Sequence, residues 1–333
     1  MFDLVDSSAK VAVIGAGLSG LTLADRLQSA GVSVSVFDKG RRVAGRMSTR
    51  LTRDGLAFDH GAQYFTVRDE RFQKRVRDWQ QAGIAALWEG KIGVLRNGTY
   101  TAKSEQSPRY VGVPGMNALC SSLAGELRIL SEVTVASVSR IGGQWRLEDS
   151  SGNDLGLFDV VVVAIPAPQA AKLLESAPAL KRQADATEMS GCWAAMVAFS
   201  ESLDLGFAGA FVEDSPLSWI ARDNSKPGRR TKPESWVLHA SPEWSERNIE
   251  GPADSILPKL LDAFWKATGA QRRETTYQSA HRWRFALPSD PLEQTFLLDA
   301  EQCIAACGDW CGGPRIEGAF LSGLDLAERL LAD

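Results

Sequence analysis

The sequence predicts an α/β protein with a parallel sheet in one domain and a mixed sheet in a second. Three observations favour this class. An apolar strand, a glycine turn and a helix open the chain over residues 10–31. A continuous apolar run, 158–165, is typical of a parallel strand that is buried on both faces. Strand patterns then fill 169–288, and 333 residues are enough for about two domains.

The first unit is a strand, a glycine turn, a helix and a second strand. The run 11–14 is apolar, and the glycines after it have the spacing G-x-G-x-x-G. Apolar residues at helical spacing continue to Gly31, a residue type common at helix ends. The second strand, 32–37, ends at Asp38, close to the separation of about 20 residues that places an acid on a nucleotide ribose.

Each residue type in this unit suits a dinucleotide. Gly15 permits the tight turn, Gly17 leaves room for a pyrophosphate, and Gly20 lets the helix approach the strand. The free N–H groups at the helix start carry partial positive charge towards phosphates. A glycine turn without a ligand is the alternative. The expected dinucleotide contacts are Gly15, Gly17, Leu18, Ser19, Gly20, Asp38 and Lys39.

Composition excludes several classes of protein. The net charge of −4 gives no reason to expect a nucleic-acid partner. No apolar run reaches the ~18 residues of a membrane span, and the N-terminus lacks the basic start and apolar core of a secretory signal. We therefore expect a cytoplasmic protein that does not enter a membrane.

The cysteines do not predict a disulfide framework, since they are five in number and no secretory signal precedes them. Cys303, Cys307 and Cys311 are evenly spaced. A metal site is one interpretation of this spacing, and small buried residues are the favoured one. The three histidines do not pair at metal-ligand spacing, so no metal is predicted.

After Asp38 the chain resembles a class of flavoproteins that contains monoamine oxidases, polyamine oxidases, phytoene desaturases and renalases. The resemblance begins at Gly45 and Arg46. In that class the matching arginine contacts the FAD phosphates, which implies the same role for Arg46. The planar guanidinium suits two phosphate oxygens. A solvated surface arginine is the alternative.

The stretch LAFDHGAQYF, 56–65, resembles the segment beside the flavin in renalases and related oxidases. The resemblance implies that the small residues Gly61 and Ala62 let the backbone approach the ring or the ribityl chain. Gln63 would contact either group, and Tyr64 belongs to the same segment. A tight strand exit without a cofactor is the alternative.

The middle of the chain contains further elements of both domains. Patterns predict an amphipathic helix over 70–86, a hairpin of 92–94 and 99–102 around Asn97-Gly98, a renalase-like return to the first domain over 110–116, and hairpin or meander strands over 127–138 and 144–148. The resemblance implies that Val135 flanks the adenine, with core packing as the alternative. The run 158–165 resembles the third strand of the FAD domain and ends at Pro166.

The stretch 169–288 predicts a substrate domain built on a mixed sheet. Strand patterns lie at 193–200, 209–213, around Trp219, at 236–240 and at 276–285, and a helix at 256–267. Eight of the chain's ten tryptophans fall in the stretches assigned to the substrate domain. Tryptophan walls suit a planar substrate, and packing in a sheet core is the alternative.

The C-terminal segment completes the resemblance with Gly308-Asp309, a loop and a final helix. The flavoprotein class implies that Asp309 bonds a ribityl hydroxyl or reaches the phosphates through water. Backbone N–H groups near Ile316 and Glu317 would face flavin N1–C2=O, where negative charge accumulates on reduction. An NAD-only domain does not need this second segment, so FAD is the expected cofactor.

The resemblance covers nearly the whole chain and implies a discontinuous domain arrangement. The expected fold is α/β, with a Rossmann-like FAD-binding domain of the GR2 type, similar to p-hydroxybenzoate hydroxylase, and a discontinuous α+β mixed-sheet substrate domain. We assign 1–69, 111–166 and 289–333 to the FAD-binding domain. The substrate domain takes 70–110 and 167–288.

Within the class, D-H-G-A-Q-Y-F, N-S-K-P-G-R and H-R-W-R most resemble bacterial renalases. Renalases oxidise the 1,2- and 1,6-dihydro isomers of β-NAD(P) and pass electrons to O2, giving H2O2 and NAD(P)+. The partners implied are a dihydronicotinamide nucleotide and O2. No side chain is required to remove a proton from carbon. The candidates for substrate contact are His281, Trp283, Arg284, Asn224 and Lys226.

Three alternatives remain open. An amine oxidase usually cages the amine between two aromatics and often holds a water on flavin N5 with a lysine. Cys311-Gly312-Gly313 replaces the aromatic loop expected for that class before the last helix. A desaturase of long lipids would show an apolar membrane-contact segment, and a non-enzymatic binding flavoprotein is the third alternative. The sequence does not determine the oligomeric state.

Overall fold

The computed structural model describes residues 5–103 and 107–332; the outermost parts of the predicted domain ranges and 104–106 lie outside it. The strands are β1 Lys10–Ile14, β2 Ser33–Asp38, β3 Thr49–Leu51, β4 Ala57–Asp59, β5 Ala85–Leu87, β6 Ile92–Arg96, β7 Thr99–Ala102, β8 Tyr110–Gly112, β9 Arg128–Ser131, β10 Val135–Ile141, β11 Gln144–Asp149, β12 Asp154–Phe158, β13 Val160–Val163, β14 Met189–Phe199, β15 Gly209–Val212, β16 Leu217–Arg222, β17 Glu234–Ala240, β18 Thr275–Pro288, β19 Phe296–Asp299 and β20 Ile304–Cys307. The helices are α1 Leu18–Ser29, α2 Glu70–Gln81, α3 Asn117–Ala124, α4 Ala167–Leu173, α5 Pro178–Ala186, α6 Pro242–Arg247, α7 Ala253–Thr268 and α8 Ile316–Leu331.

The first sheet has the strand order β19-β20-β13-β1-β2-β9 and is parallel apart from β19. Residues of α1, α3 and α8 pack on one face. The small sheet β10-β11-β12, together with α4 and α5, packs on the other face. All four residues of β13 are buried, as the continuous apolar run predicts. The predicted α/β class is confirmed.

Glycines bring the first strand, α1 and α8 close together. Gly15 has φ +115°, and a Cβ there would lie 2.4 Å from the carbonyl oxygen of Ala164. A Cβ on Gly20 would lie 2.2 Å from the oxygen of Gly15, and one on Gly323 of α8 would lie 2.1 Å from the oxygen of Ser19. Only glycine permits these approaches, and they direct two helix starts to one side of the sheet.

The second sheet has the order β18-β14-β17-β16-β15-β6-β7 and is mixed, because β15 and β6 run parallel. One face packs on α7 through buried residues that include Trp193, Trp236 and Phe264. Since side chains alternate along a strand, the residues between them face the opposite way. Trp219 and Trp283 lie on that opposite face, next to the first sheet.

Several predicted elements have different bounds in the structure. The helix predicted to reach 86 ends at Gln81, because Gly83 turns the chain with φ +70° and β5 then pairs with β8. The strand predicted over 127–138 divides into β9, which joins β2, and β10, which joins the meander. The run 158–165 divides at Asp159, whose carboxylate accepts a hydrogen bond from the backbone N–H of Lys10 at 2.8 Å.

The predicted hairpin is present as β6 and β7, with Asn97 and Gly98 at φ 48° and 77°. Positive φ at both central residues is typical of a type I′ turn. Within 5–103 and 107–332, no helix is long and apolar enough to cross a membrane. The boundaries of the two domains remain a prediction.

Candidate functional site

A cavity of about 610 Å³ lies between the first sheet and the free face of the second. Its volume is in the range of about 300–1,000 Å³ that is common for small-molecule sites. Segments from both ends of the chain line it: the start of α1, the stretch 61–68, the loop after β20 and the start of α8. The wall opposite is formed by β14 to β18.

Two helix N-termini open into this cavity without a side-chain cap. Gly17 is the N-cap of α1 and Arg315 is the N-cap of α8, and neither cap makes a side-chain hydrogen bond. A Cβ on Gly17 would meet no atom within 4 Å, so the space in front of this helix start is open. Free N–H groups and two helix dipoles suit an anionic ligand with two separated polar parts. A dinucleotide with a flavin at one end fits this arrangement.

The structure joins Arg46 and Asp309, which the sequence predicts as separate cofactor contacts. The guanidinium donates two hydrogen bonds to the carboxylate, at 2.8 and 2.6 Å, and a third to the carbonyl oxygen of Ala286 at 3.0 Å. Only 9% of the Asp309 side chain is exposed. Arg46 therefore connects the N-terminal segment, the C-terminal segment and β18. It retains further N–H donors for a phosphate.

The segment after β4 packs tightly beneath Arg46. A Cβ on Gly61 would lie 2.0 Å from the carbonyl oxygen of Arg46, and the N–H of Ala62 donates to the same oxygen at 2.9 Å. The amide of Gln63 donates to the backbone of Asp59 and Gly61. Its oxygen lies 3.4 Å from the ammonium of Lys226. Gln63 lines the cavity, but its side chain is already bonded within the protein.

Three residues predicted for the ribose and adenine end do not line the cavity. The Asp38 carboxylate accepts hydrogen bonds from the N–H groups of Ala16 and Gly40, both at 2.6 Å, so it stabilises the glycine turn. Lys39 is exposed. Val135 is buried in the core between the first sheet and the meander. Contacts of these three residues with a nucleotide remain predictions.

The three histidines meet beside the cavity, which the sequence analysis does not predict. The carbonyl oxygen of His60 lies 3.2 Å from Nε2 of His239 and accepts from Nε1 of Trp283 at 2.9 Å. The ring of His60 stacks on Trp283 at 5.1 Å, and His281 meets its edge at 4.8 Å. Burial lowers the pKa of His60 to about 3 and the pKa values of His239 and His281 to about 4. All three are neutral at pH 7.

This histidine cluster lacks the features of a metal site. The described residues contain no group of three or more histidine, cysteine or acidic side chains that could hold a metal. His60 presents its carbonyl oxygen, rather than its ring, to the neighbouring donors. The cluster is neutral and mainly aromatic, and of its residues His239 and Trp283 line the cavity. Its members lie just after β4, in β17 and in β18, so no spacing in the sequence indicates it.

Of the predicted substrate contacts, only Trp283 lines the cavity. His281 lies behind it, with Nδ1 at 3.5 Å from Nη2 of Arg50. Arg284 requires a correction, because successive residues of a strand face opposite sides. It lies on the face opposite Trp283 and forms hydrogen bonds of 2.5 and 3.1 Å with Glu250.

Asn224 and Lys226 also require a correction, since both are bonded within the protein. The Asn224 amide donates to the carbonyl oxygen of Thr231 at 2.7 Å. The Lys226 side chain has no exposed surface and contacts Asp59 at 3.1 Å and Asp223 at 2.6 Å. The turn in which the sequence predicts a substrate contact therefore contributes its charged residues to a buried cluster of ion pairs.

Arg229 completes this buried cluster by pairing with Asp59 and Asp223. Burial alone would raise the pKa of the Asp59 carboxyl, but Lys226 and Arg229 hold it below its usual value. Asp59 also accepts hydrogen bonds from Thr49 at 2.7 Å and from the N–H of Met116 at 3.0 Å. The cluster thus connects β4, which precedes the cavity segment, to the second sheet.

The free face of the second sheet supplies cavity residues that the sequence analysis does not assign to the site. They include Cys192, Phe211, Ser218 and His239, together with Trp219 of the predicted aromatic wall. Strand alternation is the signal that could identify Cys192, Phe211, Trp219 and His239, once α7 is known to cover the other face; Ser218 lies where the register of β16 shifts. Burial raises the pKa of the Cys192 thiol to about 12, so this side is neutral and aromatic.

The evenly spaced cysteines lie in different environments. Cys307 and Cys311 are buried in separate cores, on opposite faces of the first sheet. Cys303 is partly buried and packs against the first of these cores. The favoured interpretation, small residues in packed positions, describes Cys307 and Cys311.

Comparisons with known proteins identify the family. The profile of the family described as "Flavin containing amine oxidoreductase" matches residues 96–331, and a profile of NAD(P)-binding Rossmann-like domains matches 13–79. A 4,4'-diapophytoene desaturase of Staphylococcus aureus (strain Newman) is 50% identical over 60 residues. That match covers only 18% of this chain and 12% of the desaturase.

Solved structures share the fold along nearly the whole chain. A protein of Exiguobacterium sp. 255-15, proposed to be a protoporphyrinogen oxidase, has a TM-score of 0.78 at 13% identity and covers 97% of this chain and 98% of its own. Reduced UDP-galactopyranose mutase has a TM-score of 0.76 at 11% identity, with coverage of 97% and 94%. A putrescine oxidase double mutant has a TM-score of 0.74 at 13% identity and covers 98% of this chain and 99% of its own.

These structural likenesses show the fold, and the family profile covers most of the chain. The two uncapped helix starts and the open space before Gly17 fit a flavin dinucleotide. The chain is therefore a member of the flavin-containing amine oxidoreductase family, and its cofactor is FAD.

Proposed function

We propose that this protein oxidises the 1,2- and 1,6-dihydro isomers of β-NAD(P) to NAD(P)+, with O2 as the final electron acceptor and H2O2 as product. FAD, when bound, accepts a hydride at N5 and passes the electrons to O2. The observation that carries the proposal is the neutral aromatic wall of the second sheet. Phe211, Trp219 and Trp283 line the cavity on that side.

Such a wall suits a flat ring that gives up a hydride and becomes aromatic. No proton must leave carbon in that reaction, so the site needs orientation more than a base. The acids that line the cavity are Asp309 and Glu317. Asp309 is paired with Arg46, and Glu317 is bonded to the backbone N–H groups of Arg68 and Asp69. Neither is a free general base.

The residues at the cavity suggest how the chain holds FAD. The pyrophosphate would lie at the start of α1, over Gly17, with Arg46 on its other side. The flavin ring would lie against Gly61 and Ala62, which line the cavity. The N–H groups at Ile316 would face N1–C2=O. The positive end of α8 there favours the negative charge that reduction adds.

An amine oxidase is the second candidate, favoured by the pair of Tyr64 and Trp219. Their rings lie 5.4 Å apart at 53° and both line the cavity, so they offer two aromatic surfaces to an amine. The lysine that such enzymes often place near the flavin is not available from Lys226, which is buried between two carboxylates. The burial of Lys226 between Asp59 and Asp223 therefore favours oxidation of the dihydro-NAD(P) isomers over oxidation of amines.

Anaerobic stopped-flow absorbance tests the proposal on the yellow holoprotein. The dihydro isomers of NAD(P) should bleach the flavin rapidly, and primary amines should not. Trp283→Leu should slow the bleaching by about tenfold or more, since the ring that orients the substrate is lost. Arg284→Ala is the matched control, because it is the next residue but faces away from the cavity. Rapid bleaching by amines, with none by the isomers, would establish the second candidate instead.

A further inference from the structure

Glu317 joins two walls of the cavity that are distant in sequence. It is the second residue of α8, it is 8% exposed, and it lines the cavity. Its Oε1 accepts hydrogen bonds from the backbone N–H groups of Arg68 at 2.7 Å and Asp69 at 2.8 Å. Hydrogen bonds to a carboxylate are about twice as strong as neutral ones.

The segment that Glu317 holds is the continuation of the predicted flavin wall. Residues 61–66 and Arg68 line the cavity, and Asp69 is then the N-cap of α2, accepting from the N–H of Arg71. Glu317 therefore ties the start of α8 to the point where this wall ends. Because its Oε1 accepts both N–H groups, an uncharged oxygen at the same position would satisfy the same donors.

The charge of Glu317 has a second consequence. The start of α8 carries the positive end of a helix dipole towards the cavity. A carboxylate within the first turn of that helix offsets this positive potential, and low exposure limits its screening by solvent. Negative charge added to a ligand in the cavity is then less favoured than the helix alone would make it.

We propose that Glu317 is a positioning residue for FAD that also sets its reduction potential. The clamp on the backbone of Arg68 and Asp69 keeps the cavity walls together, and the charge of the carboxylate lowers the potential of the bound cofactor. The inference concerns the cofactor alone. It does not depend on which substrate the protein oxidises.

Asp325 is the matched control on the same helix. Its carboxylate pairs with Arg71 of α2 at 2.6 Å, so it also ties α8 to the region of Asp69. It does not line the cavity, and the Arg71 side chain is 46% exposed. Asp325→Asn therefore weakens the contact between the two helices without altering the cavity.

The test compares Glu317→Gln, Glu317→Leu and Asp325→Asn by FAD dissociation constant and by midpoint potential from spectro-electrochemical titration. Glu317→Leu should weaken FAD binding by about tenfold or more, since two charge-assisted hydrogen bonds are lost. Glu317→Gln should retain FAD within about threefold and shift the midpoint potential to a more positive value. Asp325→Asn should match the wild type in both measurements.

The two parts of the inference can be overturned independently of each other. A wild-type midpoint potential in Glu317→Gln would overturn the role of the charge. Wild-type FAD affinity in Glu317→Leu, or an equal loss in Asp325→Asn, would overturn the role of the clamp. If Glu317→Leu does not fold, the potential of Glu317→Gln still decides the first part. A loss of FAD affinity well beyond threefold in Glu317→Gln would then overturn the second part, because the clamp as proposed needs only an oxygen acceptor at this position.

Discussion

Arg46 and Asp309 show at the residue scale how the two chain ends depend on each other. Each belongs to a segment that resembles a flavoprotein segment, and the sequence predicts that each contacts the cofactor. The structure adds that they are bonded to each other through two hydrogen bonds. A buried carboxylate needs a partner, so Asp309 holds Arg46 in place whether or not a phosphate is near.

The buried histidines give a prediction about stability and pH. Burial, with positive charge nearby, lowers the pKa of His60 to about 3 and that of His281 to about 4. The unfolded chain, whose histidines titrate near about 6.5, binds more protons than the native protein below that pH. The free energy of unfolding should therefore fall as pH decreases from about 6.5 towards 4.

Urea denaturation at several pH values in the upper part of this window measures the effect. His281→Gln removes one of the titrating groups and should make the dependence shallower. The upper part of the window is chosen because most carboxylates remain ionised there. An unchanged slope in His281→Gln would contradict the assignment of a buried, neutral His281.

At the element scale, two glycines at the start of α1 have different roles. Gly20 is required for packing of the fold, and Gly17 leaves space for the ligand. A Cβ on Gly20 would lie 2.2 Å from the backbone oxygen of Gly15, whereas one on Gly17 would meet nothing within 4 Å. Gly20→Ala should therefore destabilise the apoprotein. Gly17→Ala should destabilise it much less, by no more than the loss of a glycine N-cap, and should weaken FAD binding, because the added methyl occupies the space of the pyrophosphate.

Thermal unfolding of the apoprotein and FAD titration of both variants check this prediction. Gly31→Ala is a useful third variant: it is also a glycine of this unit, but φ +87° and the absence of any atom within 4 Å of its Cβ predict backbone strain without an effect on the cavity. Normal FAD affinity in a folded Gly17→Ala protein would show that the phosphates lie elsewhere.

At the scale of the whole molecule, the buried cluster around Asp59 connects β4, which pairs with β3, to the second sheet. Lys226 and Arg229 approach it from the turn after β16, and Asp223 lies between them. Removing one partner of a buried pair leaves an uncompensated charge, at a cost of about 3–5 kcal/mol. Lys226→Met should lower the free energy of unfolding by that amount.

Lys181→Met is the matched control, since Lys181 pairs with Asp185 at 2.7 Å on the surface of α5. An exposed helix pair of this spacing contributes little to stability, because solvent screens both charges. Urea denaturation of the two variants should therefore give clearly different losses. Equal losses would mean that the cluster is solvated and does not connect β4 to the second sheet.

Local patterns predicted much of the fold and several members of the candidate site. The glycine turn, the buried run at β13, the Asn97-Gly98 hairpin and the final helix each depend on residues within a few positions of one another. The substrate side was harder to predict, because Arg284 and Trp283 are neighbours in sequence yet face opposite sides of β18. Which face meets the cavity depends on where α7 packs.

By itself, the sequence determined the α/β class, the glycine turn before α1, and the type of cofactor that both ends of the chain suit. Only the tertiary structure decided that Arg46 bonds Asp309, that Lys226 is buried, that three histidines meet beside Trp283 and that Glu317 ties α8 to Asp69. The physical reason is the separation in sequence over which each feature is decided. Backbone conformation and periodic burial are set by near neighbours, whereas the partner of a charged or aromatic side chain depends on how distant sheets and helices pack together.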